Sequence, residues 1–333
     1  MAKKNLKDTD YLYISTYLRA RERNLLTAVR MERMIDAPTA EEAGKVLREI
    51  GYGEFSAASD RELGQALARE REALFEDLYR YVPDKAVVDV FKVKYDYHNL
   101  KALLKAQAMG VDGGRLLVNA GRVPAAALET AVREGDDEAL PPALREAARE
   151  ARQVLSTTGD PQLSDFVLDR AYYAEMLSCA GDSGSDFLVR YVQAIIDAAN
   201  LRSAVRTLRM RKGGDFLRKV LFPGGTLSVD SVLGAALGGN LEELYRVTAF
   251  KAAAEAGAAA ARGGDLTRFE KLCDDAVTAF AVGAKRFPFG VEAVIGYLVA
   301  KEIEFTAVRV IMSGKMAGID GDAIRQRLRE AYV

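Results

Sequence analysis

KYDYHNLKALLKAQAMG, residues 94–110, decides the fold, because two later stretches answer it. YVQAIIDAANLRSAVRTLRM (191–210) and IGYLVAKEIEFTAVRVIM (295–312) align with it when Asn99 is set against Asn200 and Glu304. Leu100 then meets Leu201 and Phe305, and Ala102 meets Ser203 and Ala307, at offsets of 101 and 104 residues. A fourth echo lies near the start, where YLRARE (17–22) matches YLVAKE (297–302) and brings Asn24 to the anchor position. A self-similarity near 102 residues in a chain of 333 residues predicts three similar helical units, with approximate boundaries 1–110, 111–213 and 214–333.

Composition agrees with an all-α fold. Alanine, leucine, arginine and glutamate dominate, proline occurs 8 times and tryptophan is absent. The formal net charge of −1 gives no electrostatic case for binding nucleic acid or anionic lipid. Cys179 and Cys273 show no paired spacing and only one histidine accompanies them, so neither a metal site nor a disulfide framework is expected, and the cysteines suit a reducing compartment. MAKKNLKDTD has no apolar stretch behind its lysines and does not read as a signal peptide. The longest apolar runs are interrupted by Lys251 and Glu255 or ended by Lys301 and Glu302, so membrane association is expected only through a partner.

The chain repeats one grammar. A long helix over 11–34, about 36 Å at 1.5 Å per residue, precedes a short helix from Thr39. Ser59 with Glu62 opens a helix to Tyr81, and a second long helix runs over 85–109 and stops at Gly110. Short helices follow from Pro124 and over 141–156, Asp160-Pro161 caps a return helix, and the third long helix spans 187–212. The next set is a short helix over 227–237, one helix from Asn240 to Arg262, a capped start at Asp265, a last long helix over 291–313 and a tail helix over 321–331. The capping aspartates Asp60, Asp160 and Asp265 are spaced by 100 and 105 residues, which supports the repeat independently. Short-helix start to anchor is 76 residues for Pro124–Asn200 and Ser228–Glu304, but 60 for Thr39–Asn99, so the first unit reads as lacking the counterpart of 141–156. The N-terminal long helix and the C-terminal tail read as two parts of a split unit whose pairing would close a ring; an open stack is the other arrangement.

No catalytic signature is present: no GxxxxGK followed by Ser or Thr, no GxGxxG after a strand, no GxSxG and no HExxH. Asp136-Asp137 and Asp274-Asp275 are isolated acidic pairs, His98 reads as a packed or surface histidine, and Gly224-Gly225 as a turn. An all-α enzyme would need converging carboxylates, so no catalytic residue, cofactor or metal ligand is assigned. The polar pairs Arg21 with Asn24, Asp96 with Asn99, Asp197 with Asn200 and Lys301 with Glu304 sit three residues apart on single helix faces. They read either as inter-domain contacts that fix helix register or as the lining of a cavity that receives another protein. Lys101 and Lys105, and Arg202, Arg206 and Arg209, form basic stripes at helical spacing. These read as a solvated face or as a rim suited to an acidic partner.

Three segments carry a family resemblance: KYDYHNLKALLKA (94–106), YLYISTYLRARERNLL (11–26) running into IDAPTAEEAGKVLREIGY (35–52), and the turn from Arg309 to Ile319. Together they resemble the C subunit of archaeal and bacterial A/V-type ATP synthases, the relative of the d subunit of eukaryotic vacuolar ATPases. The alanine-rich 249–262 segment and the short 181–186 turn depart from it locally. The resemblance implies a funnel of three helical domains around a pseudo-threefold axis, peripheral on the cytoplasmic face of a membrane and monomeric within its complex. It implies a non-catalytic rotor subunit with no cofactor and no nucleic-acid partner, seated between the central shaft subunits and the proteolipid ring. The shaft interface is then expected at Lys101, Lys105, Arg202, Arg206 and Arg209. A helical-repeat adaptor unrelated to rotary ATPases is the alternative.

Overall fold

The computed structural model describes residues 6–53 and 59–332; Met1 to Asn5 of the N-terminal start read above lie outside them. Among the described residues the regular structure is helical, with no strand. The α-helices are α1 (Leu12–Arg21), α2 (Ala28–Asp36), α3 (Ala40–Glu49), α4 (Asp60–Tyr81), α5 (Ala86–Met109), α6 (Ala125–Glu134), α7 (Pro142–Thr158), α8 (Pro161–Asp182) and α9 (Asp186–Arg209). They continue with α10 (Gly214–Lys219), α11 (Val229–Gly238), α12 (Leu241–Tyr245), α13 (Lys251–Ala261), α14 (Leu266–Val282), α15 (Val291–Met316) and α16 (Gly321–Arg327).

The expected caps are in place. Thr39 Oγ1 accepts from the Glu42 amide at 3.2 Å and Ser59 Oγ from Glu62 at 3.2 Å. Asp160 accepts from Gln162 at 2.8 Å, and Asp265 from Thr267 at 2.8 Å and Arg268 at 3.1 Å. Each satisfies amides that the first helical turn leaves without a backbone partner. Gly110 ends α5 at φ +65°, a left-handed position where a side chain is strained.

Three expectations fail. The helix predicted over 11–34 breaks after Asn24: Leu25 turns extended, Leu25 and Leu26 bury their side chains, and Thr27 starts α2 by accepting from the Arg30 amide at 3.3 Å. Residues 20–26 hold no glycine or proline that would mark the break. With α2 recognised, the first unit no longer lacks a helix; the series α2, α3, α4 runs parallel in order to α6, α7, α8. The helix predicted from Asn240 to Arg262 is also two helices. Thr248 donates to the Tyr245 carbonyl at 2.9 Å and accepts from the Phe250 amide at 3.1 Å, while the buried Tyr245 and Phe250 rings meet edge to face. Finally, the tail helix ends at Arg327 and residues 328–332 continue without helix.

The chain forms two compact units: one of residues up to Pro83, Asp197–Leu221 and from Thr226 onward, the other of Asp84–Ile196 and Phe222–Gly225. In the second, α8 packs on both α5 and α7. Val93, Tyr97, Leu100 and Leu104 of α5 meet Leu128 of α6, Leu144 and Ala148 of α7, and Leu168 of α8. In the first, α1, α2, α3 and α4 all pack against α15, so segments from the two ends of the sequence share one core. The residue that follows the anchor, Leu100, Leu201 or Phe305, is fully buried in each long helix. Truncating such a side chain to alanine typically costs about 2–5 kcal/mol.

Candidate functional site: carboxylate clips and cation ladders

The polar residues singled out from the sequence are largely buried, and their partners show what they do. Asp96 on α5 has no exposed surface; its carboxylate accepts from the Val123 amide at 3.0 Å and from Arg122 Nε at 2.8 Å. Asp197 on α9 accepts from the Thr226 amide at 3.1 Å, the Thr226 hydroxyl and the Leu227 amide at 3.3 Å. Glu304 on α15 accepts from the Leu26 amide at 2.8 Å, the Tyr52 hydroxyl at 2.6 Å and Lys301 Nζ. Val123, Leu227 and Leu26 each stand immediately before the residue that opens a short helix, at Pro124, Ser228 and Thr27. One carboxylate per long helix therefore clips the chain where a short helix begins. In α5 and α9 the clip is the first member of the pair; in α15 that position is Lys301, and the glutamate three residues on reaches the turn instead.

The second members differ. Asn99 makes two bonds with Val118, donating to its carbonyl and accepting from its amide, both at 2.8 Å. Asn200 is fully buried. Lys301 lies 4.9 Å from the Tyr52 ring centre and 5.0 Å from that of Phe305, beside its pair with Glu304. Arg21 binds Asp77 and the Tyr17 hydroxyl, while Asn24 is exposed in the turn that breaks the predicted helix. Each of these partners lies in the same compact unit as the residue it binds.

Burial raises the carboxyls of Asp96 and Asp197 above the ordinary aspartate range, with the bonds to Arg122, Val123, Thr226 and Leu227 pulling them back down. Arg122 spans two acids, reaching Asp96 and, through Nη2, Glu175 Oε1 at 2.8 Å; Tyr97 donates to the other oxygen of Glu175 at 2.8 Å. Gly121 makes this clip possible, because a Cβ there would stand 2.1 Å from Asp96 Oδ1.

The basic stripes are paired. Lys101 binds Asp169 and Lys105 binds Asp165 at 2.5 Å, both from α5 to α8. Arg202 binds Asp274 and Arg206 binds Glu270 at 2.5 Å, both from α9 to α14. Arg209 donates to the carbonyls of Ala260 at 3.0 Å and Gly264 at 2.7 Å. The cations recur at an offset of 101 residues and the acids at 105, so the same two-rung ladder is built twice. A bare positive rim is therefore absent at these five residues. The acids were legible in principle as i, i+4 pairs on the return helices, but Arg122, Gly121 and Tyr52 carried no periodic signal.

Among the described residues, no group of three or more His, Cys, Asp or Glu side chains could hold a metal ion. No helix there is long and apolar enough to cross a membrane. The structure defines a class of all-α protein whose buried charges join long helices to the turns and helices around them. The chain belongs to the ATP synthase (C/AC39) subunit family, whose model matches residues 14–327. It is 24% identical over 329 residues to the C subunit of the V-type sodium ATPase of Enterococcus hirae, covering 97% of this chain and 99% of that one. The C subunit of the A-type ATP synthase of Methanocaldococcus jannaschii is 26% identical, with 96% and 86% covered. Its counterpart in the V-type ATP synthase of Thermus thermophilus is 25% identical, with 92% and 94% covered.

Proposed function

We propose that this chain is a non-catalytic rotor subunit of a V/A-type ATPase or ATP synthase, which joins the central shaft to the membrane proteolipid ring. Torque would pass through it between ATP chemistry and proton or sodium transport, on the cytoplasmic face of the membrane. Three similar helical domains, closed as a funnel, would give it the torsional stiffness that a single linker lacks. The observation that most supports this reading is the third clip: Glu304, near the end of the chain, holds the Leu26 amide near its beginning. In an open solenoid each repeat touches only its neighbours, whereas here residues 278 apart in sequence are bonded. That favours the rotor subunit over an unrelated helical-repeat adaptor.

Lys101, Lys105, Arg202, Arg206 and Arg209 remain the proposed shaft-facing residues, the first four acting as ion-pair ladders with their acids and Arg209 held by the Ala260 and Gly264 carbonyls, rather than as bare cations. Asp96, Asn99, Asp197, Asn200, Lys301 and Glu304 are proposed to fix helix register where domains are built together; Arg21 instead ties α1 to α4 through Asp77, and Asn24 lies exposed in the turn after α1. The test is reconstitution of the rotary complex with the triple variant Arg202→Glu, Arg206→Glu, Arg209→Glu. Weakened shaft association, or ATP hydrolysis uncoupled from ion transport, is expected. Normal coupling in a fully assembled complex rejects that face.

A further inference from the structure

The acidic pair Asp274-Asp275, isolated in sequence, acquires a partner in the structure. Residues 328–332 leave α16 without forming a helix or strand and reach residues of α14 and α15. Arg329 Nε binds Asp274, and the Glu330 amide donates to Asp275 Oδ1 at 3.0 Å. Lys285 Nζ donates to the Tyr332 carbonyl at 2.6 Å and lies 4.9 Å from the centre of that ring. The phenol fits a notch at Gly296 on α15, where a Cβ would stand 2.5 Å from the Tyr332 hydroxyl. Tyr332 and Leu328 are buried, Arg329 and Ala331 are half-buried, and Glu330 is exposed.

We propose that residues 328–332 are a releasable strap, a peptide ligand held in cis by a preformed slot made of Asp274, Asp275, Lys285 and Gly296. The slot reads the pattern of the tail itself: a guanidinium on one acid, a backbone amide on the next, and an aromatic ring in a glycine notch three residues beyond the guanidinium. Only its first residue is tied to a helix backbone, the Leu328 amide donating to the Arg325 carbonyl of α16 at 3.2 Å. The contacts of 329–332 with α14, α15 and Lys285 each involve a side chain, so these residues can detach while α14 and α15 stay folded. Asp274 is shared between Arg329 of the strap and Arg202 of α9. Release therefore leaves this carboxylate to Arg202 alone, so the state of the strap is felt on the cation ladder. By reciprocity, any group that draws Arg202 away frees Asp274 for Arg329 and tightens the strap.

The first test is amide hydrogen exchange on the full, unaltered chain. The amides of 329–332 should exchange at least about tenfold faster than those in the middle of α15. Exchange of both at one common rate, as in global unfolding, overturns the proposal. In the second, a labelled peptide with the sequence of residues 326–333 is added to the full-length double variant Arg329→Ala, Tyr332→Ala, checked for folding by circular dichroism. Saturable binding is expected, weakened about tenfold or more by a further Asp275→Ala, which removes the acceptor of the Glu330 amide. A folded double variant that does not bind the peptide, or that binds it equally well after Asp275→Ala, contradicts the slot.

Discussion

Replacing Asp197, which is 3% exposed, by alanine would leave the Thr226 and Leu227 amides without their acceptor. Thr226 is exposed and Leu227 half-buried, so water can reach these amides and the full penalty of a buried orphan donor does not apply. With about 0.5–1.5 kcal/mol per lost hydrogen bond, denaturant titration should show a loss of about 1–3 kcal/mol for Asp197→Ala. Asp197→Asn keeps one acceptor and should lose less. The pH dependence has a definite sign. Burial raises the folded-state pKa of Asp197, so this group favours folding most below its unfolded value of about 3.9. That contribution is lost as pH rises through the folded value. Asparagine cannot ionise, so the stability of the unaltered chain relative to Asp197→Asn should fall as pH rises above about 4. A difference that moves the other way contradicts the burial argument. Gly121→Ala drives a methyl into the Asp96 carboxylate and should cost about 1–3 kcal/mol. Gly181→Ala, in α8 with nothing within 4 Å of the added carbon, should be neutral or stabilise by up to about 1 kcal/mol. Thermal or chemical denaturation of the two glycine variants side by side separates close approach from helix propensity.

The ladders and the helix breaks belong to the scale of elements. Arg206 and Glu270 are partly exposed, so their pair contributes only about 0.2–1 kcal/mol. Arg206→Glu should lower stability by about that amount, and the exchanged pair Arg206→Glu with Glu270→Arg should restore it. A single reversal that costs several kcal/mol would instead mean that the ladder is the main tie between α9 and α14. Helix starts were legible because capping is local: Thr39, Ser59, Asp160 and Asp265 sit where their amide partners are two or three residues away. The breaks were not legible. Leu26 leaves the helix to place its amide on Glu304, 278 residues away, and no window around residue 26 contains that acceptor. The interruption between α12 and α13 is local, with Thr248 bonded to Tyr245 and Phe250, but hydropathy alone does not distinguish the joint burial of those two rings from a continuous apolar face.

At the scale of the molecule, the repeat of long helices was readable because burial demands a large apolar residue after each anchor, at Leu100, Leu201 and Phe305. The partners of the anchors were unreadable, since the clipped amides have no side-chain signature and Arg122 occurs in only one clip. The cations were readable as stripes but not as ladders until α8 and α14 placed their acids opposite. Family membership rests on a match over residues 14–327; the rotor role is a proposal that draws its support from the clips, the ladders and the Leu26–Glu304 bond. The most direct measurement is a pull-down of detergent-solubilised proteolipid ring by tagged central-shaft subunits, with and without this chain. If the chain bridges the two, ring should be recovered with the shaft only when it is present. Equal recovery in its absence would contradict the bridging role.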